Sequence, residues 1–196
     1  MSKTTFKPGT MVYPVPAVMV TCGSTPESHN IITIAWTGIV NSEPPMTYIS
    51  VRKSRHSHGI LMREKEFVIN LGTEKLARQL DFCGVKSGSD LNKFESQNLT
   101  PIAASHVKCP MILESPVNVE CRVTQVLEFP SHDMFIAEIL AVHANKDLMN
   151  KAGKLELEKA GLLCYSHGDY FGLSKTVGKF GYSVMKEKTK KKLQKR

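Results

Sequence analysis

The 196-residue chain has no CxxC pair, and its five cysteines, Cys22, Cys83, Cys109, Cys121 and Cys164, are widely spaced. An odd and scattered set gives neither a disulfide framework nor a zinc knuckle. No apolar run approaches the ~20 residues needed to span a bilayer. The opening MSKTTFKPGT lacks the charged-then-apolar profile of a signal peptide. The expectation is a cytoplasmic protein with reduced thiols and no membrane partner. The glycine-rich GxGxxG after a strand and the GxxxxGK(S/T) loop are both missing, and with them the two commonest nucleotide cradles. His106, His132 and His143 share no metal-ligand spacing, so they are expected to be structural and no metal site is expected. Aromatic residues are few, with a single tryptophan, Trp36.

What the chain does have is positive charge. Lys and Arg number 26 against 18 Asp and Glu, a formal +8. That excess invites a nucleic-acid reading. Most of it lies in one place, however. KEKTKKKLQKR (186–196) carries +6, which leaves only +2 on residues 1–185. The run lacks aromatics for base stacking. It reads as a basic C-terminal tail on a nearly neutral domain at 1–185, with no specific nucleic-acid partner.

Hydrophobic residues at 41% and charged residues at 22% are ordinary for a globular domain. From Met11 to Leu71 the sequence is rich in Val, Ile, Thr and Tyr, broken by Pro, Gly and Ser. This composition predicts strands at 17–23, 30–36, 45–52 and 66–71. The third is entered through Pro44-Pro45, which cannot donate to a central ladder. In TEKLARQLDFCG (73–84), Leu76, Leu80 and Cys83 recur at helical spacing, with Thr73 as N-cap and Gly84 as stop. A second short helix is expected over 89–96. Alternation of Val117, Val119, Cys121 and Val123 with polar residues predicts a strand at 116–129. With 134–145 it makes a hairpin. Helix and turn are expected through 145–161, and a short strand or strand pair at 162–173. About seven short strands with a few small helices and no β-α-β alternation point to an antiparallel barrel or sandwich.

Two polar clusters could carry chemistry. SVRKSRHSHG (50–59) gathers Ser50, Arg52, Lys53, Ser54, Arg55, Ser57, His56 and His58 at the end of an apolar strand. Arg offers a bidentate fork, Lys a point charge, and hydroxyls and loop amides neutral donors, the mixture a phosphate requires. A solvated basic loop is the plainer alternative. AWTGIVNSEPP (35–45) holds Trp36, Thr37, Gly38 and Asn41, which could read the edge of a planar heterocycle; Trp36 could equally be a core residue ending a strand. In SHGDY (166–170), His167 stands either as a general acid or cofactor-edge donor, or merely in a turn.

The identities of these residues go further than their composition. NIITIAWTGIVNSEPPMTYISVRKSRHSHGIL (30–61) closely resembles the flavin reductase-like, FMN-binding split-barrel family, and within it the flavoredoxin branch. PVPAVMVTCG (14–23), EFVINL (66–71), LDFCGVKSGSDLNKF (80–94) and SHGDYFGLSKTVGKFGYSV (166–184) match in family order, so the resemblance covers the chain to about residue 185. It implies a mainly β, Greek-key split barrel with a few short flanking helices, a homodimer with FMN near the subunit interface, and noncovalent cofactor binding. By that resemblance Trp36, Thr37, Gly38 and Asn41 line the isoalloxazine. Ser50, Val51, Arg52, Lys53 and Ser54 grip the phosphate and ribityl chain, with Ser57 and His58 close by and Lys93 as a further contact. The basic RKS turn favours the terminal phosphate of FMN over FAD. The implied activity is electron transfer from NAD(P)H through FMN to a free flavin, ferric iron or a protein acceptor, with His167 as donor near the nicotinamide or flavin edge. A flavoredoxin-type carrier that does not itself oxidise NAD(P)H is the alternative.

Overall fold

The computed structural model describes residues 1–186, so the basic run at 186–196 lies outside the described residues except for Lys186. Twelve strands and three α-helices follow in chain order. The strands are β1 (Val15–Pro16), β2 (Val18–Cys22), β3 (Asn30–Ile34), β4 (Thr37–Ser42), β5 (Pro45–Arg52), β6 (Glu66–Leu71), β7 (Pro101–Ile102), β8 (Met111–Ile112), β9 (Val117–Glu128), β10 (His132–Ala144), β11 (Leu163–Ser166) and β12 (Asp169–Gly172). The helices are α1 (His56–Glu64), α2 (Ala77–Val85) and α3 (Lys93–Ser96). No helix among them is long and apolar enough to cross a membrane.

Seven strands form one antiparallel sheet in the order β3-β2-β6-β9-β10-β5-β4. Its two outermost strands, β3 and β4, are consecutive in the chain and joined only by Ala35 and Trp36. So short a link requires the sheet to roll up until its ends meet. The Ser50 N–H donates to the Trp36 carbonyl at 2.9 Å, tying that link to β5.

The period of two along each strand sorts the side chains. Val18, Val20 and Cys22 of β2 point into the barrel with Ile32, Ile34, Ile49, Val51, Phe67, Ile69 and Phe135. Ala17 and Met19 point the other way, onto Leu80 and Cys83 of α2 and Phe94 of α3. β2 is therefore buried on both faces, and each large aliphatic side chain removed from water contributes roughly 1.5–3 kcal/mol. From α1, Ile60 and Leu61 also enter the barrel core.

The strands at 45–52 and 66–71 coincide with β5 and β6, and the 116–145 hairpin is β9–β10. Two elements arise where no regular structure was expected. β4 occupies a stretch read as loop, because Gly38, Asn41 and the proline pair mask its strand character. It forms a hairpin with β5, in which the Asn41 carboxamide donates to the Pro44 carbonyl at 2.9 Å. Pro45 is tolerated at the very start of β5, where it faces Ser42. α1 also grows out of a segment read as polar loop. Its Ser57, Ile60 and Leu61 share one buried face, hidden in the sequence by His56, His58 and Gly59. It ends at Lys65 in the left-handed conformation (φ 57°).

Gly84, expected as a stop, lies within the last turn of α2. A Cβ there would come within 3.1 Å of the Thr33 Cβ, so glycine lets α2 pack closely on β3. The helix expected over 89–96 is confined to Lys93–Ser96. Its cap is Asn92, whose Oδ1 accepts from the Phe94 N–H at 3.0 Å. The 145–161 stretch yields only two 3-10 turns, Lys146–Leu148 and Leu157–Lys159.

Asn70, fully buried on β6, ties the barrel to the segment outside it. Its Nδ2 donates to the Met19 carbonyl at 3.0 Å, and its Oδ1 accepts from the Ile112 N–H at 2.9 Å and the Asn118 amide at 2.7 Å. Asn70→Leu strands those groups in an apolar interior. The expected loss is about 2–4 kcal/mol, read as a lower urea midpoint; an unchanged midpoint contradicts this role.

Candidate functional site

On the outer face of β3 and β5 the barrel carries a cleft of about 390 Å³. The alternation that sends Ile49 and Val51 into the core turns Ser50 and Arg52 outward into this cleft. α2 supplies Asp81 and Gly84, the start of β10 supplies His132, and β11 and β12 supply Tyr165 and Tyr170.

One wall is aromatic. The rings of Trp36 and His132 lie 4.6 Å apart at 38°. Ser131 Oγ sits 2.9 Å from His132 Nδ1, and His132 is the direct cross-strand partner of Arg52. Burial, and then the Arg52 guanidinium, hold the His132 pKa below the usual histidine value. Tyr165 and Tyr170 lie with ring centroids 5.7 Å apart, and the Tyr170 hydroxyl donates to Asp81 at 3.2 Å. Burial and the Asp81 carboxylate push the Tyr170 hydroxyl up to about 12, so it remains protonated at neutral pH.

The cleft is also basic. The Arg55 guanidinium donates to the Gly84 carbonyl. The Arg52 side chain has no hydrogen-bond or ion-pair partner among the described residues. Arg55 also borders a smaller neighbouring cleft of about 160 Å³ with Asn30, Ser54, Ser57, Gly88 and Lys93. Asn30 Nδ2 donates to Ser57 Oγ there at 2.7 Å. Lys93 is only 3% exposed; its ammonium donates to the carbonyls of Ile31 at 2.7 Å and Cys83 at 2.8 Å. Burial pushes its pKa down to about 8.

The predicted site residues thus divide. Trp36, Ser50 and Arg52 share the main cleft, while Ser54, Ser57 and Lys93 border the smaller one. Val51 faces the barrel core, leaving only its backbone for a ligand. Thr37 is buried, with its hydroxyl donating to the Tyr48 carbonyl; Gly38 lies against the Tyr48 ring. Asn41 is engaged in its hairpin turn.

Lys53 and His58 converge on the buried Asp133, at 3.2 Å and 2.7 Å. Burial alone would raise the Asp133 pKa, but these two partners outweigh it and hold the carboxyl below its usual range. His167 stands at the tip of the β11–β12 hairpin with φ 51°, followed by Gly168 at φ 106°. Positive φ at both positions is the mark of a tight two-residue turn. Its ring packs against Tyr13, 6.1 Å between centroids, and does not line the cleft.

Sequence reasoning missed His132 and assigned no role to Asp81. His132 sits in a turn-like Pro130-Ser131-His132-Asp133 stretch, and only the β5–β10 register brings it opposite Arg52. Among the described residues no group of three or more His, Cys, Asp or Glu side chains is arranged to hold a metal ion.

Residues 10–174 match the flavin reductase like domain, so the chain belongs to that family. Its structure superposes on flavoredoxin of Desulfovibrio vulgaris (Miyazaki F) with a TM-score of 0.86 and 26% identity, covering 94% of this chain and all of the other. Flavoredoxin from Methanosarcina acetivorans gives 0.84 and 27% at the same coverage. A more distant relative, 21% identical over 55% of each chain, is the FMN reductase (NADH) RutF of Pantoea ananatis. The fold is the mainly β split barrel of FMN-binding proteins, with few short helices.

Proposed function

We propose that the cleft holds FMN noncovalently and that the chain is a flavin reductase-like oxidoreductase, carrying electrons from NAD(P)H to a free flavin, a ferric chelate or a protein acceptor. The observation that carries this reading is Arg52: a guanidinium without a partner among the described residues, lining with Arg55 the same cleft as the Trp36–His132 ring pair. A volume of about 390 Å³ suits the apolar-walled, polar-ended pocket of a small cofactor. The residues fit the group.

When bound, FMN supplies a hydride acceptor at N5 and one- or two-electron transfer to the next acceptor. The chain's own residues bind, orient and shield. Arg52 and Arg55 offer planar forks matched to a terminal phosphate, with Ser50 and Ser54 as neutral donors nearby. This basic end favours FMN over FAD. Trp36 and His132 present flat faces for a planar ring. Tyr165 and Tyr170 narrow the opposite side, and Asp81 fixes the Tyr170 ring by accepting its hydroxyl hydrogen bond. Lys53 and His58, bound to Asp133, act on the 53–58 turn and not directly on the phosphate. Lys93 braces β3 against α2 from beneath.

A second reading, an FMN-dependent electron carrier that does not oxidise NAD(P)H, is supported by the likeness to two flavoredoxins. A homodimer belongs to either reading. β4 is an outer strand of the sheet, and Ile39 on it is 75% exposed with Val40 also open, an edge of the kind a second copy covers.

Arg52→Ala is expected to weaken FMN about tenfold or more, the loss of a charge-assisted contact, while riboflavin changes little. Equal weakening of both ligands in a fluorescence titration contradicts the phosphate assignment. Anaerobic stopped-flow mixing of the FMN-loaded protein with NADH or NADPH separates the two readings. Bleaching of the flavin absorbance supports the reductase, and persistent absorbance supports the carrier. Light scattering is expected to return the mass of two chains; a monomer mass overturns the dimer.

A further inference from the structure

His132 is the one imidazole lining the main cleft, and no step above uses its ability to titrate. Three observations converge on it. Its ring lies tilted against Trp36 at 4.6 Å; Ser131 Oγ engages Nδ1, which leaves Nε2 free; and it lies directly across the β5–β10 ladder from Arg52, a cation without a side-chain partner among the described residues. We propose that His132 is a proton-coupled contact of this cleft: an anionic planar ligand that seats on Trp36 and pairs with Arg52 binds together with a proton taken up by the His132 imidazole. The proposal rests on the FMN reading for the identity of that ligand.

The physical cause is charge balance. In the ligand-free cleft partial burial disfavours a charge on His132, and the Arg52 guanidinium beside it acts in the same direction. His132 is therefore neutral at pH 7. A phosphate monoester on Arg52 cancels that repulsion and adds negative charge, so the imidazole gains affinity for a proton from solvent. In the tautomer whose Nδ1–H donates to Ser131 Oγ the solvent proton is gained at Nε2, and no other bond changes.

The surrounding groups do not supply an alternative. Arg55 adds positive charge at the α1 end of the cleft. Across the cleft, Asp81 is held by the Tyr170 hydroxyl. Asp133, next to His132 in the chain, alternates to the opposite face and is occupied by Lys53 and His58; Glu128 of β9 also pairs with Lys53. By linkage, a proton taken up on binding means that affinity rises as pH falls through the bound-state pKa, down to the ligand-free one.

Calorimetric titration of FMN at pH 6.5, in two buffers of different ionisation enthalpy, counts the protons directly. The wild type is expected to take up more protons than His132→Gln does, while riboflavin, which has no phosphate, binds without that difference. The second ionisation of a phosphate monoester lies near pH ~6. Arginine selects its dianion, so the phosphate itself releases protons and cannot mimic the uptake. Between pH 7.5 and 6 the wild-type affinity should rise about fivefold relative to His132→Gln.

The single tryptophan gives a second readout that does not depend on the glutamine variant. In ligand-free protein, Trp36 emission should fall as the neighbouring imidazole becomes cationic, and Arg52→Ala should move that midpoint to higher pH. Equal proton uptake by wild type and His132→Gln overturns the proposal, as does a pH-independent Trp36 emission. FMN that binds with neither effect refutes the proton coupling alone; failure of FMN to bind at all refutes the cofactor reading and the coupling with it.

Discussion

Ala35 and Trp36 are the whole of the connection between the two outermost strands of the seven-stranded sheet. Two residues cannot cross an open sheet of that width, so the sheet closes, and the Ser50 N–H to Trp36 carbonyl bond fixes where. The features of the cleft follow from that closure. The tryptophan that bridges the seam is held beside the outward face of β5. The β10 register then brings His132 onto its ring and opposite Arg52. A longer link would leave β3 and β4 free to separate, and the ring pair and the arginines would not share one cleft.

Electrostatics divides the basic segment 52–58 into two functions. Odd and even positions leave β5 in opposite directions. Lys53 turns toward Asp133, where a buried carboxylate is matched by an ammonium and by His58. Removing one member of such a group costs more than the group's net contribution, because the remaining charge is left buried. Arg52, one residue earlier, faces the cleft without a partner. The same short run therefore provides both an internally neutralised anchor and an uncompensated cation, and only the latter is available to an anionic ligand.

Much of this was legible in the sequence. Composition rich in Val, Ile, Thr and Tyr pointed to β2, β3, β5 and β6, period-two alternation to β9, and the 73–84 spacing to most of α2. Trp36, Ser50 and Arg52 stood out because residue types suited to a planar phosphate ester were close in sequence. What could not be read was nonlocal. β4 owes its existence to pairing with β5 despite its glycine and flanking prolines, and α1 to the burial of Ile60 and Leu61 in the barrel. His132 carried no local signal, since its role depends on a register set some eighty residues away. His167 shows the converse: a histidine beside glycine and aspartate looks catalytic in sequence, yet its positive φ marks a hairpin tip.

FMN, as proposed, seats against Trp36 in the cleft on β3 and β5. Because Trp36 is the only tryptophan in the chain and lines that cleft, its fluorescence senses a ligand seated there. Titration of the purified, flavin-free protein with FMN tests the claim most directly. Saturable quenching of Trp36 emission with an endpoint of one FMN per chain is the predicted result. Emission that stays unchanged while the protein is folded, or that declines without saturation, would contradict it.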